Sequence, residues 1–160
     1  MAESSLEELK KDFEVLKKKY NLPEFQKLNE DFDIEKVAEN ETDFLLREIR
    51  KSIMDKAIAY LRFIEMLLNP SSAPLFILSV VKGTTTNDKK ILERIYEKLG
   101  EFEIDVIELD CKYNEKDEAE FIKKISKEWK TISSDMAKFV EILRRNWRQK
   151  SRKDDRGYCG

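Results

Sequence analysis

The sequence predicts an all-α protein, a single-domain antiparallel bundle of about six to eight helices with three long ones. Two observations indicate this class. Apolar residues recur at spacings of three and four along most of the 160-residue chain, which is the spacing of one helix face. Gly and Pro together number only seven and fall mainly between the periodic segments, where they end helices. The chain length is typical of one domain.

The N-terminal part predicts one regular helix followed by two short ones. A helix over residues 4–20 follows from apolar residues spaced by 3, 4, 3 and 4 positions, namely Leu6, Leu9, Phe13, Leu16 and Tyr20. Ser4 or Ser5 can cap this helix, and Pro23 ends it. Its apolar face can dock on the bundle or on another chain. We therefore predict that this helix is a mobile arm. Helical spacing within 24–37 predicts the two short helices.

The strongest pattern predicts a helix from about Thr42 to Leu68. Its apolar stripe steps by 3, 4, 4, 3, 4 and 3 residues through Leu46, Ile49, Ile53, Ala57, Tyr60, Ile64 and Leu67. We expect Thr42 to cap this helix and Asn69–Pro70 to end it. Further apolar residues widen the stripe, which favours contact with more than one neighbouring helix.

The segment Leu75–Lys82 is apolar on nearly every side. We expect a buried helix here, capped by Ser72 and ended by Gly83. The apolar run is far shorter than the roughly 20 residues that cross a membrane, so no membrane contact is predicted. The start of the chain lacks the apolar region of a signal peptide, which favours a cytoplasmic protein.

The next region predicts an amphipathic helix that Thr86 caps and Gly100 ends. Residues 101–110 are ambiguous, because their apolar positions fit a strand as well as a helix. We favour a helix, since a single strand would have no partner in this sequence.

The last periodic region, Phe121–Trp147, predicts either one helix of about 35 residues or two helices in nearly continuous phase. Thr131–Ser134 is the candidate break between them. Residues 151–160 carry no apolar pattern, and chain ends without one fray. We therefore predict a helical domain over 1–150 and a disordered basic tail over 151–160.

The composition excludes much catalytic and metal chemistry. The chain has no His, which removes the commonest general base near neutral pH and every imidazole ligand. Cys111 and Cys159 stand far apart and form no Cys-x-x-Cys motif. The segment Gly83–Thr86 lacks the second glycine and the lysine of a phosphate loop. Because we also find no acidic residue within the apolar stripes, we predict no enzyme and no catalytic, cofactor-binding or metal-binding residue.

Charge is strongly segregated along the chain. The 31 Lys and Arg nearly balance the 33 Asp and Glu, for a net charge of −2. However, residues 101–120 hold nine acids and two lysines, and residues 144–156 hold seven bases and two acids. Such separation can steer or orient a partner. The candidate acidic partner surface comprises Glu101, Glu103, Asp105, Glu108, Glu115, Asp117 and Glu118.

The basic end offers a second candidate, a phosphate-binding surface for RNA or DNA. Its residues are Arg144, Arg145, Arg148, Lys150, Arg152 and Lys153. The guanidinium fork suits phosphate, and an aromatic ring such as that of Trp147 can stack on an unpaired base. Two simpler roles compete: Trp147 closes the apolar stripe, and cations complement the dipole at a helix C-terminus.

These features predict a non-enzymatic, intracellular protein-interaction or assembly module. Its partners are expected to be proteins, either copies of the same chain or other chains, with nucleic acid as the alternative. No small-molecule substrate is indicated. The contact would lie on the acidic surface, on the basic end, or in an apolar groove that the first helix leaves.

Four short blocks resemble segments of an uncharacterised all-helical archaeal protein family. They are Phe25–Asn29, Asp43–Arg47, Leu68–Pro74 and Glu118–Ile122. The resemblance implies an all-helical fold and no particular activity, and no functional residue is transferred from it. The dominance of Lys and Glu among the charges is also typical of thermophile proteins.

Overall fold

The fold is all-α, as the sequence predicts. The computed structural model describes the backbone of residues 2–157 and the side-chain environments of residues 3–153. Within that part of the chain there is no strand. The helices are α1 Ala2–Tyr20, α2 Phe25–Phe32, α3 Leu45–Leu68, α4 Leu75–Val81, α5 Thr86–Cys111 and α6 Glu115–Gly157. Two 3₁₀ turns, Ile34–Glu39 and Pro70–Ser72, complete these elements. The predicted helical bundle with three long helices is confirmed, with α3, α5 and α6 as the long ones.

The chain divides into two compact units. The first comprises Met1–Ala59 and Glu101–Lys130, and the second Tyr60–Gly100 and Thr131–Gly160. Each of the three long helices therefore contributes one part to each unit. We describe the two units separately.

The first unit is built around aromatic side chains from α1, α2 and α6. The rings of Phe13 and Phe25 meet edge to face at 5.4 Å, and the rings of Phe32 and Trp129 lie 4.9 Å apart. Leu9 and Phe13 of α1 are buried, so this helix docks on its own unit through the predicted apolar face. The suggestion that it is a mobile arm stays a prediction.

Helix α3 begins three residues later than predicted. The Thr42 hydroxyl accepts a bond from the Phe44 amide, only two residues on, and so closes a turn before the helix. The first helical bond instead runs from the Glu48 amide to the carbonyl of Phe44. The predicted end is correct, because the helix stops at Leu68 and Pro70 starts the following turn.

Helix α5 corrects two expectations and confirms a third, that residues 101–110 are helical. Thr85, not Thr86, caps it, because the Thr85 hydroxyl accepts from the Asp88 amide while the Asp88 carboxylate accepts from the Thr85 amide. Gly100 does not end it, and residues 101–110 continue the same helix. A glycine inside a helix costs only about 1 kcal/mol, and burial of Leu99 and Phe102 on either side offsets that cost.

Helix α6 is one helix of 43 residues, with no break at Thr131–Ser134. Asn114 caps its start, where the side-chain oxygen accepts from the Asp117 amide at 3.1 Å. The helix continues through Gly157, which includes the first seven residues of the tail predicted to be disordered. The last three residues of that tail, with Cys159, lie outside the described residues.

In the second unit, α3, α5 and α6 enclose an apolar core, which α4 joins through only two buried residues. That core contains Leu61, Ile64, Leu67, Leu92, Ile95, Leu99, Ile132, Met136, Phe139 and Leu143. The expectation that α4 is buried all round is wrong. Ile77 and Val80 are buried, whereas Leu75 is 81% exposed and Phe76 52% exposed. Ser72 does not cap this helix, because Pro74 precedes it without any side-chain cap.

Candidate functional site

A buried charge cluster joins α3 to the start of α6 in the first unit. The Arg50 guanidinium donates from Nε to Oε2 of Glu118 at 2.5 Å and from Nη2 to Oε1 at 3.2 Å. Arg50 Nη2 also donates to the carboxylate of Asp110 at 2.7 Å. The side chains of Arg50 and Glu118 are 1% and 0% exposed. This fork geometry is the strongest form of an ion pair between side chains.

Arg47 extends the buried charge cluster towards the end of α5. Its Nε atom lies 3.4 Å from Oε1 of Glu118, and its Nη2 donates to the carbonyl oxygen of Leu109. The guanidinium also lies 4.9 Å from the centre of the Tyr113 ring. A cation at the last carbonyls of a helix complements the helix dipole. Arg47 therefore ties the C-terminus of α5 to α3.

The cluster is structural in its chemistry. Burial works to lower the pKa of Arg50, but its hydrogen bonds to Glu118 and Asp110 outweigh burial, and the pKa is raised above its ordinary value. A guanidinium held in this way donates hydrogen bonds and cannot serve as a general base. The bonds from Nε and Nη2 of Arg50 join α3 to Glu118 of α6 and Asp110 of α5, so the cluster positions these three helices within the first unit.

Two members of the predicted acidic partner surface are not freely available. Glu118 is fully buried in the charge cluster, because it lies one helical turn before Phe121 and Ile122 on the buried face of α6. The expectation that no acidic residue lies within an apolar stripe is therefore wrong. Glu115 is partly buried and accepts bonds from the Tyr20 hydroxyl at 2.6 Å and from Lys19 at 2.9 Å.

The hydrogen-bond partners of Glu115 favour its ionised form. The hydrogen bond from Tyr20 is the largest cause that lowers the pKa of Glu115, followed by the hydrogen bond from Lys19. Both partners favour the ionised carboxylate. Glu115 therefore fastens the C-terminal end of α1 to the first turn of α6.

The other predicted acids lie on or near the surface of the first unit. Glu101, Glu108 and Asp117 are exposed, while Glu103 and Asp105 are partly buried. Asp105 accepts a hydrogen bond from Lys124 at 2.7 Å, and this bond raises the pKa of that lysine. Asp105, Glu108 and Asp117 border an open concavity of about 660 Å³. No group of three or more His, Cys, Asp or Glu side chains in the described part of the chain could hold a metal ion.

Two isoleucines lie in the middle of the exposed acids on α5. Ile104 is 68% exposed and Ile107 is 62% exposed. Glu101 precedes Ile104 by three residues and Glu108 follows it by four, so all four side chains share one face of the helix. We call Glu101, Ile104, Ile107 and Glu108 the acidic–apolar surface.

The basic end of α6 presents all six predicted cations to solvent. Helical spacing places four of them, Arg144, Arg145, Arg148 and Arg152, along one side, opposite the buried Leu143. Lys150 and Lys153 lie outside that row. The Lys150 ammonium donates to the hydroxyl of Ser79 on α4 at 2.8 Å. The Nε atom of Arg144 lies 3.9 Å from Oε1 of Glu141.

An exposed aromatic pair adjoins these cations. The rings of Phe76 on α4 and Trp147 on α6 have their centres 5.2 Å apart at an angle of 55°. Trp147 is 42% exposed, so it does not simply close the apolar stripe. The Lys150 ammonium lies 5.6 Å from the centre of the Trp147 ring. We call Leu75, Phe76 and Trp147, with Arg144, Arg148 and Lys150 beside them, the aromatic–basic surface.

Asn146, next to Trp147, joins α6 to α4. Asn146 is buried, and its side-chain amide donates to the carbonyl of Val80 at 2.8 Å. A Cβ atom on Gly83 would meet Oδ1 of Asn146 at 2.5 Å, so α4 and the turn after it fit against α6 only with glycine there. Asn146 therefore ties this part of α6 to α4, while the adjacent Trp147 is 42% exposed.

A shared sequence signal marks the buried polar residues that our sequence interpretation missed. Arg50 stands four residues after Leu46, Glu118 three before Phe121, and Asn146 three after Leu143. Each polar residue therefore occupies a position that the apolar period assigns to the core. Such a residue is buried together with a partner, although its sequence position does not identify that partner.

Comparisons with protein-family models, with curated proteins and with solved structures return no match for this chain. No helix in the described part of the chain has an apolar stretch long enough to cross a membrane. The class that the fold and the surfaces define is an all-α helical protein with a buried charge cluster and exposed amphipathic surfaces.

Proposed function

We propose that this chain is a non-enzymatic protein-interaction module that binds its partner through the aromatic–basic surface. The exposed contact between Phe76 and Trp147 carries this proposal. Each Å² of apolar surface kept in water costs about 25 cal/mol relative to burial. Tryptophan and arginine are also the residues most enriched among those that dominate the energy of protein interfaces. A partner that covers the two rings would gain this energy.

The chemistry of the surface defines the partner. Leu75, Phe76 and Trp147 favour apolar side chains, while Arg144, Arg148 and Lys150 favour carboxylates. The complementary ligand is an acidic, amphipathic protein segment whose apolar residues are flanked by Asp or Glu. We propose the cytoplasm as the setting of this interaction.

Nucleic acid is the second candidate, favoured by the row formed by Arg144, Arg145, Arg148 and Arg152. Binding there would be dominated by phosphate contacts. Two observations favour a protein partner. Leu75 is an aliphatic side chain that offers no ring for base stacking, and the rings of Phe76 and Trp147 already pack on each other.

Fluorescence anisotropy with the full-length chain tests both candidates. The first probe is a labelled acidic amphipathic peptide with isoleucine at positions i and i+3, flanked by glutamates, and the second is a single-stranded oligouridine. We expect micromolar peptide binding, at a Kd of about 1–100 μM. The double variant F76S/W147S should weaken peptide binding at least about tenfold, the equivalent of about 1.4 kcal/mol.

Two control variants complete this experiment. V15S removes an exposed apolar side chain of α1 and should leave peptide binding unchanged. R144E/R148E keeps the rings but reverses two charges, so it should also weaken the peptide complex. The proposal fails if the wild-type chain binds oligouridine, loses it in R144E/R148E and shows no affinity for the peptide.

A further inference from the structure

We propose that the partner is a second copy of this chain, whose acidic–apolar surface on α5 docks on the aromatic–basic surface. This inference rests on the proposed function, since it names the occupant of the same site. The two surfaces are described within separate units of the chain, and the pairing we propose is between two molecules.

The first argument is the chemical match between the two surfaces. Ile104 and Ile107 present apolar side chains one helical turn apart, at 68% and 62% exposure. Glu101 and Glu108 lie beside them on the same face. These are the features of the acidic amphipathic segment that the aromatic–basic surface requires, and they are present on a regular helix that needs no folding on binding.

The second argument is charge complementarity. Pairing the aromatic–basic surface with its own equivalent would oppose Arg144 and Arg148 to further arginines. Pairing two acidic–apolar surfaces would likewise oppose glutamates to glutamates. Like charges across an interface cost several kcal/mol, so the favourable pairing joins unlike surfaces.

Pairing between unlike surfaces allows two modes of assembly. If each copy uses both of its surfaces on the same partner, the pair closes as a two-fold dimer. If each copy uses its two surfaces on different partners, head-to-tail addition continues until a larger ring closes or an open filament forms. High salt should weaken the charged contribution, because the Debye length falls from about 8 Å at 0.15 M to about 3 Å at 1 M.

Complementation between two variants of the full-length chain tests this inference. F76S/W147S disables the aromatic–basic surface, and I104S/I107S disables the acidic–apolar surface. In sedimentation velocity, the wild type should form dimers or larger species as its concentration rises. Each variant alone should stay monomeric, whereas an equimolar mixture should form one-to-one heterodimers and no larger species. V15S should assemble as the wild type does.

Three results would overturn the inference: a wild-type chain that stays monomeric up to about 1 mM, loss of assembly in only one of the two variants, or a variant mixture without heterodimers. Circular dichroism of each variant establishes that it is folded. R144E/R148E and E101K/E108K provide a second pair that disables the same surfaces through charge. If acidic peptides still bind while the copies do not pair, the module function stands and its partner is another protein.

Discussion

The Nε atom of Arg50 donates a hydrogen bond to Oε2 of Glu118 at 2.5 Å, and both side chains are almost completely buried. This pair joins α3 to the first helical turns of α6 within the first unit. Burying two charges costs free energy, and the fork geometry together with one further bond to Asp110 compensates for that cost. Glu118, which the sequence places on a partner surface, is therefore a buried residue that stabilises the fold.

Replacing Glu118 by Gln should destabilise the protein strongly. The variant keeps the shape of the side chain but leaves the Arg50 charge buried with only the half-exposed Asp110 beside it, which costs about 3–5 kcal/mol. Urea denaturation of both proteins measures the difference in unfolding free energy. The matched control is E48Q, which removes the acid of the surface pair between Glu48 and Lys51 and should cost under about 1 kcal/mol. Equal effects of the two substitutions would contradict the structural role of Glu118.

The stabilisation that Glu115 contributes to the fold should be lost in acid. Its pKa in the folded state lies below the ordinary value, so folding favours the ionised form. The resulting stabilisation is complete above the pKa of the unfolded state and is lost as the pH falls through the lower pKa of the folded state. E115Q lacks this contribution. The wild type should therefore exceed E115Q in stability at neutral pH, and the difference should shrink as the pH drops below about 4.5.

The Tyr20 hydroxyl should be the main cause of this effect. Y20F removes the hydrogen bond that lowers the pKa of Glu115 most, so the pKa of Glu115 should rise towards its ordinary value. Carboxyl-carbon NMR titration measures this directly. K19A is the comparison variant and should raise the pKa by less. A Glu115 pKa that is the same in Y20F and wild type would disprove this assignment.

Gly100 should be replaceable with a gain in stability. It lies in the middle of α5, its backbone has an ordinary helical conformation, and an added Cβ atom would meet no other atom within 4 Å. G100A should therefore raise the unfolding free energy by about 0.5–1 kcal/mol, because alanine loses less backbone entropy on folding. Thermal and urea denaturation measure the change, and a loss of stability would show that the site is more crowded than the structure indicates.

Replacing Gly83 by alanine should lower the stability of the protein, because the added Cβ atom would displace the side chain of Asn146. G83A places a Cβ atom where Oδ1 of Asn146 lies, so the amide must move and the bond to Val80 is lost. We expect each of G83A and N146A to cost about 1–3 kcal/mol, the penalty for an unpaired buried carbonyl. In the double variant the second change should cost little, because both remove the same bond. Simple additivity in this double-mutant cycle would exclude the proposed coupling.

The helices could be predicted from the sequence wherever a local rule decides them. The apolar period predicts α1, α3 and the body of α6, and Pro70 after Asn69 ends α3 as expected. At Gly100 the local rule failed, because buried neighbours on both sides outweigh the modest cost of glycine in a helix. At Thr85 and Thr86 two adjacent candidates compete for the cap, and only Asp88, three residues after Thr85, distinguishes them.

The candidate surfaces could be predicted only in part. All six predicted cations of α6 lie at the surface, and so do Glu101, Glu108 and Asp117 among the predicted acids. The aromatic half of the aromatic–basic surface could not be inferred, because an apolar run such as Leu75–Val81 predicts burial when read alone. Whether such a helix is covered depends on how many distant segments pack against it, and in Leu75–Val81 only Ile77 and Val80 are buried.

The sequence by itself determined the all-α class, the positions of the long helices and the separation of acidic from basic charge. These follow from local periodicity and from composition, which act within a few residues along one chain segment. Only the tertiary structure decided that Glu118 is internal while Trp147 and Phe76 are external. The physical reason is that burial depends on contacts between distant segments: Arg50 supplies a buried partner for Glu118, whereas Phe76 and Trp147 contact each other and stay about half exposed.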